Sequence, residues 1–391
     1  MSYNIKTYIM PTYGKRTLEF KYGKGAYLFS KKNKKYLDFG SGIAVNSLGH
    51  CNPDLVKVLK KQSSQLWHTS NLYYNQKQED YARLLCKYSF GEKVFFTNSG
   101  LESIECGIKM IRSYHYHHKT KKKNIITFEN AFHGRSISAL SANKNHQNNN
   151  FFKPLLSNFI QVPFNDLDKL EKKIDSRTAA IMLETIQGEG GVRPISLSVL
   201  EKIKKICIKN NILLFLDEVQ CGFGRSGKLF SYQWSNIEPD IIATAKGMGS
   251  GFPIGACIAT NKASIAMKKG MHGSTFGGNN LAIAVGTSVI KQIMSRGFLE
   301  KVDQISRYLW SELKKLEIKF DNIIEVRGAG LLLGIKIKKE NNKIIKLLTS
   351  RGLLTVAASD NVIRLAPPLI VKKKEVDQAI KIIADVLKSV K

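Results

Sequence analysis

Three short stretches of this chain place chemically active groups at the ends of apolar runs. In ILLFLDEVQCGFGR, five apolar residues end in Asp217, which sets a carboxylate at the C-terminal edge of a buried strand. An acid buried there must be paired. The protonated ring nitrogen of a pyridoxal group would suit it, because the electron-sink role of that ring needs the positive charge. A cap on the next turn, or a Mg²⁺ ion in a nucleotide site, would use the same residue, so this run alone decides nothing. In DIIATAKGMGSGFPIGA, Lys246 ends another apolar run and four glycines follow within nine residues. A surface lysine is the ordinary reading, but such glycines let backbone approach a bulky group. A desolvated lysine has a depressed pKa and forms imines readily. In FFTNSGLESIE a strand runs into Ser99-Gly100 and then into a helix. Free N–H groups and the dipole at a helix start make an anion site. The chain has no GxxxxGK[ST] segment, so a P-loop is not the reason, and a single phosphate is the natural ligand. An ordinary capping box from Ser99 to Glu102 is compatible with that reading.

The elements around these groups alternate. Strand candidates are VFFT (94–97), NIITF (124–128), AAIMLE (179–184), ILLFLD (212–217), DIIATA (240–245) and IGACIA (254–259). Helical spacing recurs at Leu101, Ile104, Ile108 and Ile111, and again over residues 198–210. This alternation predicts an α/β fold, a mostly parallel sheet covered on both faces, with strand C-termini and functional loops along one edge. Past residue 285 the pattern changes. IIEVRGAGLLLGIKIK (323–338) and NVIRLAPPLIV (361–371) read as strands of a smaller α+β unit, closed by a terminal helix. The expected organisation is an N-terminal segment over 1–50, a large domain over 51–285 and a small one over 286–391. The short strands GAYLFS and YLDFG near the N-terminus cannot form a core alone and must pack on another part. NKNHQNNN at 143–150 reads as a polar loop.

With 391 residues, 43% of them hydrophobic, the chain can bury a large core and is not a disordered protein. No apolar run approaches the roughly 20 residues of a membrane span, and residues 1–15 lack the pattern of a secretory signal. Six scattered cysteines without a CxxC pair argue for free thiols in a reducing cytoplasm, with no metal site. The net charge of +30 raises the question of an anionic partner. The lysines are spread along polar helix faces, and the KKNKK (31–35) and KTKKK (119–123) runs sit at turns without interleaved aromatics. A solvated lysine-rich surface, with no specific nucleic-acid or membrane partner, is the expectation. HYHH at 115–118 reads as a solvated helix end.

The order phosphate helix, strand-end Asp, strand-end Lys resembles the fold-type I enzymes that use pyridoxal 5'-phosphate (PLP). The chain is similar from end to end to the class III, or ω-, aminotransferases. SGIAVNSLGHCNP (41–53), HTSNLYY (68–74), NSGLESIE (98–105), FHGR (132–135), QGEGG (187–191), DEVQCGFGRSG (217–227), AKGMGSGFPIGA (245–256), HGSTFGGN (272–279) and IRLAPPL (363–369) carry the resemblance. GIAVNSLGH and HTSNLYY are closest to the branch of that family acting on N-acetylornithine.

The resemblance implies roles. Lys246 holds PLP as a Schiff base and later moves the proton. Asp217 holds the ring N–H, Gln220 the ring hydroxyl, and Phe132 and Val219 sandwich the ring. The backbone of Ser99, Gly100 and Leu101 holds the phosphate. Thr275 reaches the phosphate in the partner subunit, which implies a homodimer with shared sites. Arg135 and Ser274 bind the acetylornithine end. Arg364 clamps the α-carboxylate of 2-oxoglutarate, and Glu189 neutralises Arg364 during the δ-amine half-reaction. Leu101, Thr185 and Asn280 depart from the family's usual residues, away from the reacting atoms. An ornithine or succinyl-diaminopimelate aminotransferase is the rival within the class. A nucleic-acid-binding protein on a retained fold is the rival outside it, and such a protein would need neither Lys246 nor Asp217.

Overall fold

A computed structural model describes residues 8–14, 17–143 and 149–390. The polar loop expected at 143–150 falls largely outside the described residues. The apolar runs form a seven-stranded sheet: β1 (Lys93–Thr97), β2 (Asn124–Phe128), β3 (Phe159–Val162), β4 (Thr178–Glu184), β5 (Leu213–Asp217), β6 (Ile241–Thr244) and β7 (Gly255–Ala259). Their order across the sheet is β1-β7-β6-β5-β4-β2-β3. The pairs from β6 to β3 are parallel, whereas β7 runs antiparallel to both of its neighbours. The link from β6 to β7, residues 245–254, is too short for the crossover that a parallel return needs.

Every residue of β2, β4, β5, β6 and β7 is buried, as in strands covered on both faces. Alternate residues feed two cores: Ile181, Leu214, Leu216 and Ile242 on one face, Met182, Leu213, Phe215 and Ile241 on the other. Helix α1 (Gly100–His117) lays Ile104, Ile108 and Ile111 on the second core. Its Gly107 permits this approach, since a Cβ there would sit 2.3 Å from the Phe215 ring. The end of α1 corrects one expectation. His115 is buried, with its ring against the Ala179 carbonyl (2.8 Å) and the Thr120 hydroxyl (3.0 Å), so HYHH is not wholly solvated. His115 falls one helical turn past Ile111, on the stripe that faces the sheet.

The C-terminal sheet has the order β8 (Ile323–Ala329), β9 (Leu332–Ile337), β11 (Val362–Leu365), β10 (Val356–Ala358), antiparallel throughout. IIEVRGAGLLLGIKIK is thus a hairpin, turning at Gly330 with φ of 57°. A Cβ at Gly330 would lie 2.5 Å from the Arg225 carbonyl, so the turn presses on the loop after β5. Helices α2 (Phe298–Lys319) and α3 (Lys373–Ser389) pack against this unit and each other. The N-terminal strands Phe20–Lys24, Tyr27–Ser30 and Lys35–Asp38 form an antiparallel sheet. Its last strand pairs in parallel with Leu353–Leu354, so the N-terminal sheet is completed by the C-terminal part. Among the described residues no helix is long and apolar enough to cross a membrane.

Candidate active site

The strand ends meet at one edge and open on a cavity of about 470 Å³. Ser99, Gly100, Leu101, Phe132, Arg135, Asp217, Val219, Gln220 and Lys246 all line it. Asp217 is buried at the end of β5, where its Oδ1 accepts from the Val219 N–H (3.0 Å) and its Oδ2 meets His133 Nδ1 (2.8 Å). Lys246 follows β6 with a left-handed φ of 44°. Burial pulls its pKa below the usual lysine value, Arg364 adds to the effect, and Glu189 and Asp217 oppose it. A lysine easily freed of its proton is a competent nucleophile.

The phosphate-type end differs in detail from the expected capping box. Ser99 Oγ accepts from the Glu102 N–H (3.3 Å), but the Glu102 carboxylate reaches one residue further back, to the N–H (2.7 Å) and amide (2.9 Å) of Asn98. The first-turn N–H groups of α1 ahead of Glu102 have no intrahelical acceptor. Gly100 is pressed on Val219, and a Cβ there would approach its Cγ1 to 2.6 Å.

On the opposite side, β11 carries Arg364, which is fully buried. Its Nη1 donates to Glu189 Oε1 (2.6 Å) and to Gln220 Oε1 (2.8 Å), so Gln220 joins the Arg364–Glu189 pair to the cavity wall. Glu189 remains about a third exposed (32%), a side chain able to move where Arg364 cannot. Arg225, also fully buried, ties the loop after β5 to the small sheet through the carbonyls of Leu331 (3.2 Å) and Pro367.

Ser274 and Thr275 stand apart from this cavity. Ser274 Oγ accepts from Asn98 Nδ2 (3.2 Å) and from the Gly277 N–H (2.9 Å). Thr275 and Phe276 are exposed, in a loop beside the equally exposed Leu72, Tyr73 and Tyr74 segment.

Sequence reasoning passed over two groups. His133 lies inside FHGR, yet only the fold shows its ring against Asp217. Glu184 ends the apolar run of β4 just as Asp217 ends that of β5, so the same signal was available. Its Oε1 accepts from the Phe132 N–H (2.9 Å) and its Oε2 from the Gly188 N–H (3.1 Å).

The matched residues give a helix start for a phosphate, a strand-end acid for a ring nitrogen, and a lysine of lowered pKa. The family model described as Aminotransferase class-III matches residues 8–387. The chain belongs to the class-III aminotransferases. This class-III chain is 45% identical to the acetylornithine aminotransferase of Mesorhizobium japonicum, over 94% of its own length and 93% of that protein's. It is 44% identical to that of Clostridium acetobutylicum, over 98% and 100%. Among solved structures it is similar to the N-acetylornithine aminotransferase of Stenotrophomonas maltophilia, with a TM-score of 0.85, 34% identity and coverage of 96% of both chains. It is also similar to the ornithine aminotransferase of Toxoplasma gondii, with a TM-score of 0.91, 28% identity and coverage of 98% and 92%. The family's cofactor is PLP, and the groups along this cavity fit it: N–H donors for a phosphate, Phe132 and Val219 for an aromatic ring, and an acid and an amine at its two reactive ends.

Proposed function

We propose that this enzyme transfers the δ-amino group between N2-acetyl-L-ornithine and 2-oxoglutarate, giving N-acetyl-L-glutamate 5-semialdehyde and L-glutamate, a step of arginine biosynthesis in the cytoplasm. The observation that carries the reading is the buried Arg364 held by Glu189 at 2.6 Å beside a cavity shared by Lys246, Asp217 and Arg135. When bound, PLP supplies the electron sink for bond breaking at the amine-bearing carbon. Lys246 would hold its aldehyde and would move a proton at the substrate carbon. Asp217 keeps the ring nitrogen protonated. Phe132 and Val219 flank the ring and Gln220 bonds its hydroxyl. The backbone of Ser99, Gly100 and Leu101 binds the phosphate. Thr275 serves the phosphate of the partner subunit, so the working unit is a homodimer.

Two unlike substrates must share the pocket. The δ-amine end of N-acetylornithine carries no charge except the amine, while 2-oxoglutarate brings a carboxylate beside its reacting carbon. Arg364 clamps that carboxylate, because a guanidinium–carboxylate pair is bidentate and strong. Glu189 neutralises Arg364 when N-acetylornithine is bound and moves aside for 2-oxoglutarate. Arg135 takes the distal carboxylate end, and Ser274, which stands apart from its own chain's cavity, would serve the acetyl end from across the dimer, as Thr275 would serve the phosphate.

The test is single-turnover absorbance of the PLP form with N-acetylornithine, ornithine, succinyl-diaminopimelate and GABA. N-acetylornithine should convert the cofactor with the highest rate constant per unit concentration. A higher value with ornithine or succinyl-diaminopimelate would move the assignment to that branch.

A further inference from the structure

A buried acid unused by the mechanism above stands beside Asp217. Glu184 and Asp217 are register partners on the neighbouring parallel strands β4 and β5, and both are buried. Two carboxylates this close in a dry strand edge repel each other. His133 lies against Asp217, with its Nδ1 2.8 Å from Oδ2, and its buried Nε2 has no hydrogen-bond partner among the described residues. Burial works against charge on His133, but the hydrogen bond and charge of Asp217, with Glu184 behind it, raise its pKa above the ordinary value. Burial and the nearby Asp217 push the Glu184 carboxyl up to about 7, against the pull of His133 and two backbone N–H groups. Two further ionisable groups feel this cluster: Lys246, and the fully buried Glu218, whose carboxyl burial and the neighbouring Asp217 push up to about 7.

The charge count gives Glu184 a purpose. His133 against Asp217 offsets part of the pull that Asp217 exerts on a cationic ring. An ionised Glu184 adds negative charge beside Asp217, and a cation nearby favours that ionisation. A protonated pyridine at this strand edge is such a cation. Glu184 is also held in place from two sides, by Phe132 and Gly188, so its charge is fixed in direction. We infer that Glu184 is a positioning residue of the ring-nitrogen site, a second carboxylate whose charge acts together with the Asp217–His133 couple to favour a protonated ring nitrogen. This rests on the PLP reading proposed above.

The test uses cofactor-free enzyme and two phosphorylated aldehydes: PLP and its analogue with carbon in place of the ring nitrogen. The readout is the ratio of their dissociation constants, measured by equilibrium dialysis. Wild type should bind PLP more tightly than the carbon analogue. Equal binding by wild type would sink the ring-nitrogen reading itself, not the role of Glu184 alone. Glu184→Gln should weaken PLP about tenfold relative to the analogue, the size of one unit of pKa. A residue that merely braced Phe132 and Gly188 would weaken both aldehydes alike, and that outcome overturns the inference. Asp217→Asn provides a second arm should the first variant not fold. With Glu184 present it should keep a residual preference for PLP. A preference wholly lost in Asp217→Asn would leave Glu184 without a role at the ring.

Discussion

The floor of the cavity and its rim are built in opposite ways. The floor is made of strand ends: Asp217, Glu184 and Lys246 are reached through runs of buried residues, and the two acids have fixed hydrogen-bond partners. The rim over 272–279 is loop, held by a side chain of another loop: Asn71 Nδ2 donates to the carbonyls of Ser274 (3.1 Å) and Gly277 (3.0 Å). Its Phe276 and Leu72 of the adjoining loop are exposed apolar groups. In the proposed function the floor is drawn from one chain, whereas the rim serves the partner subunit's site. Floor substitutions should therefore change the chemistry of a site without altering assembly. Rim substitutions should act on cofactor retention in the neighbouring site.

The largest effect belongs to Lys246→Ala, which should abolish turnover while the protein still folds. Borohydride treatment of the wild-type holoenzyme should fix the cofactor on Lys246, as read by peptide mass mapping. A label on another lysine would defeat the assignment of the floor. Asp217→Asn should keep the fold and lose of order 10²-fold or more in kcat, because several kcal/mol of transition-state stabilisation is at stake. Near-normal kcat would show that the ring nitrogen does not need the acid.

Arg364 and Glu189 join the floor to the small sheet, and their variants should separate the two half-reactions. Breaking a fully buried ion pair costs about 3–5 kcal/mol. Glu189 is partly exposed, so Glu189→Gln should slow the N-acetylornithine half-reaction by only about tenfold, after allowance for solvent screening. Glutamate should then react relatively better. Arg364→Lys should do the reverse: 2-oxoglutarate loses its fork-like partner and the δ-amine step is largely spared. Stopped-flow absorbance of each half-reaction decides the matter, and equal slowing of both by Glu189→Gln would make that residue structural. The smallest effect is on the rim. Thr275→Ala should loosen PLP about tenfold, the scale of one charge-assisted hydrogen bond, with kcat at saturating cofactor unchanged. PLP titration of the apoenzyme measures it, and a drop in kcat with no loss of affinity would place Thr275 in the chemistry instead.

What the sequence disclosed follows the same division. A run such as LLFLD announces its own strand, its burial and the position of its terminal acid, because periodicity and side-chain chemistry agree locally. Lys246 and Ser99 were legible for that reason. Glu184 carried the same signal in TAAIMLE, but its importance depends on lying beside Asp217, and strand order is not a local property. His133 is a lone ring until the fold brings it to an acid. His115 was misjudged because HYHH looks polar as a string, while only its first member continues the apolar stripe of α1. The reversal of β7 was implicit in the short link after Lys246. The pairing of Lys35–Asp38 with Leu353–Leu354 had no signal in either segment.

That last pairing has a consequence for the birth of the molecule. Leu37 and Leu353 are register partners, so the N-terminal strands have no parallel neighbour until residue 353 has left the ribosome. At about 5–20 residues per second, the wait is on the order of 15–60 s. Throughout it, Lys35–Asp38 presents an open edge with Tyr36 and Leu37, both buried in the finished protein. The KKNKK run at 31–35 lies at the turn leading into this strand. Lysines flanking an open edge discourage pairing with other nascent chains.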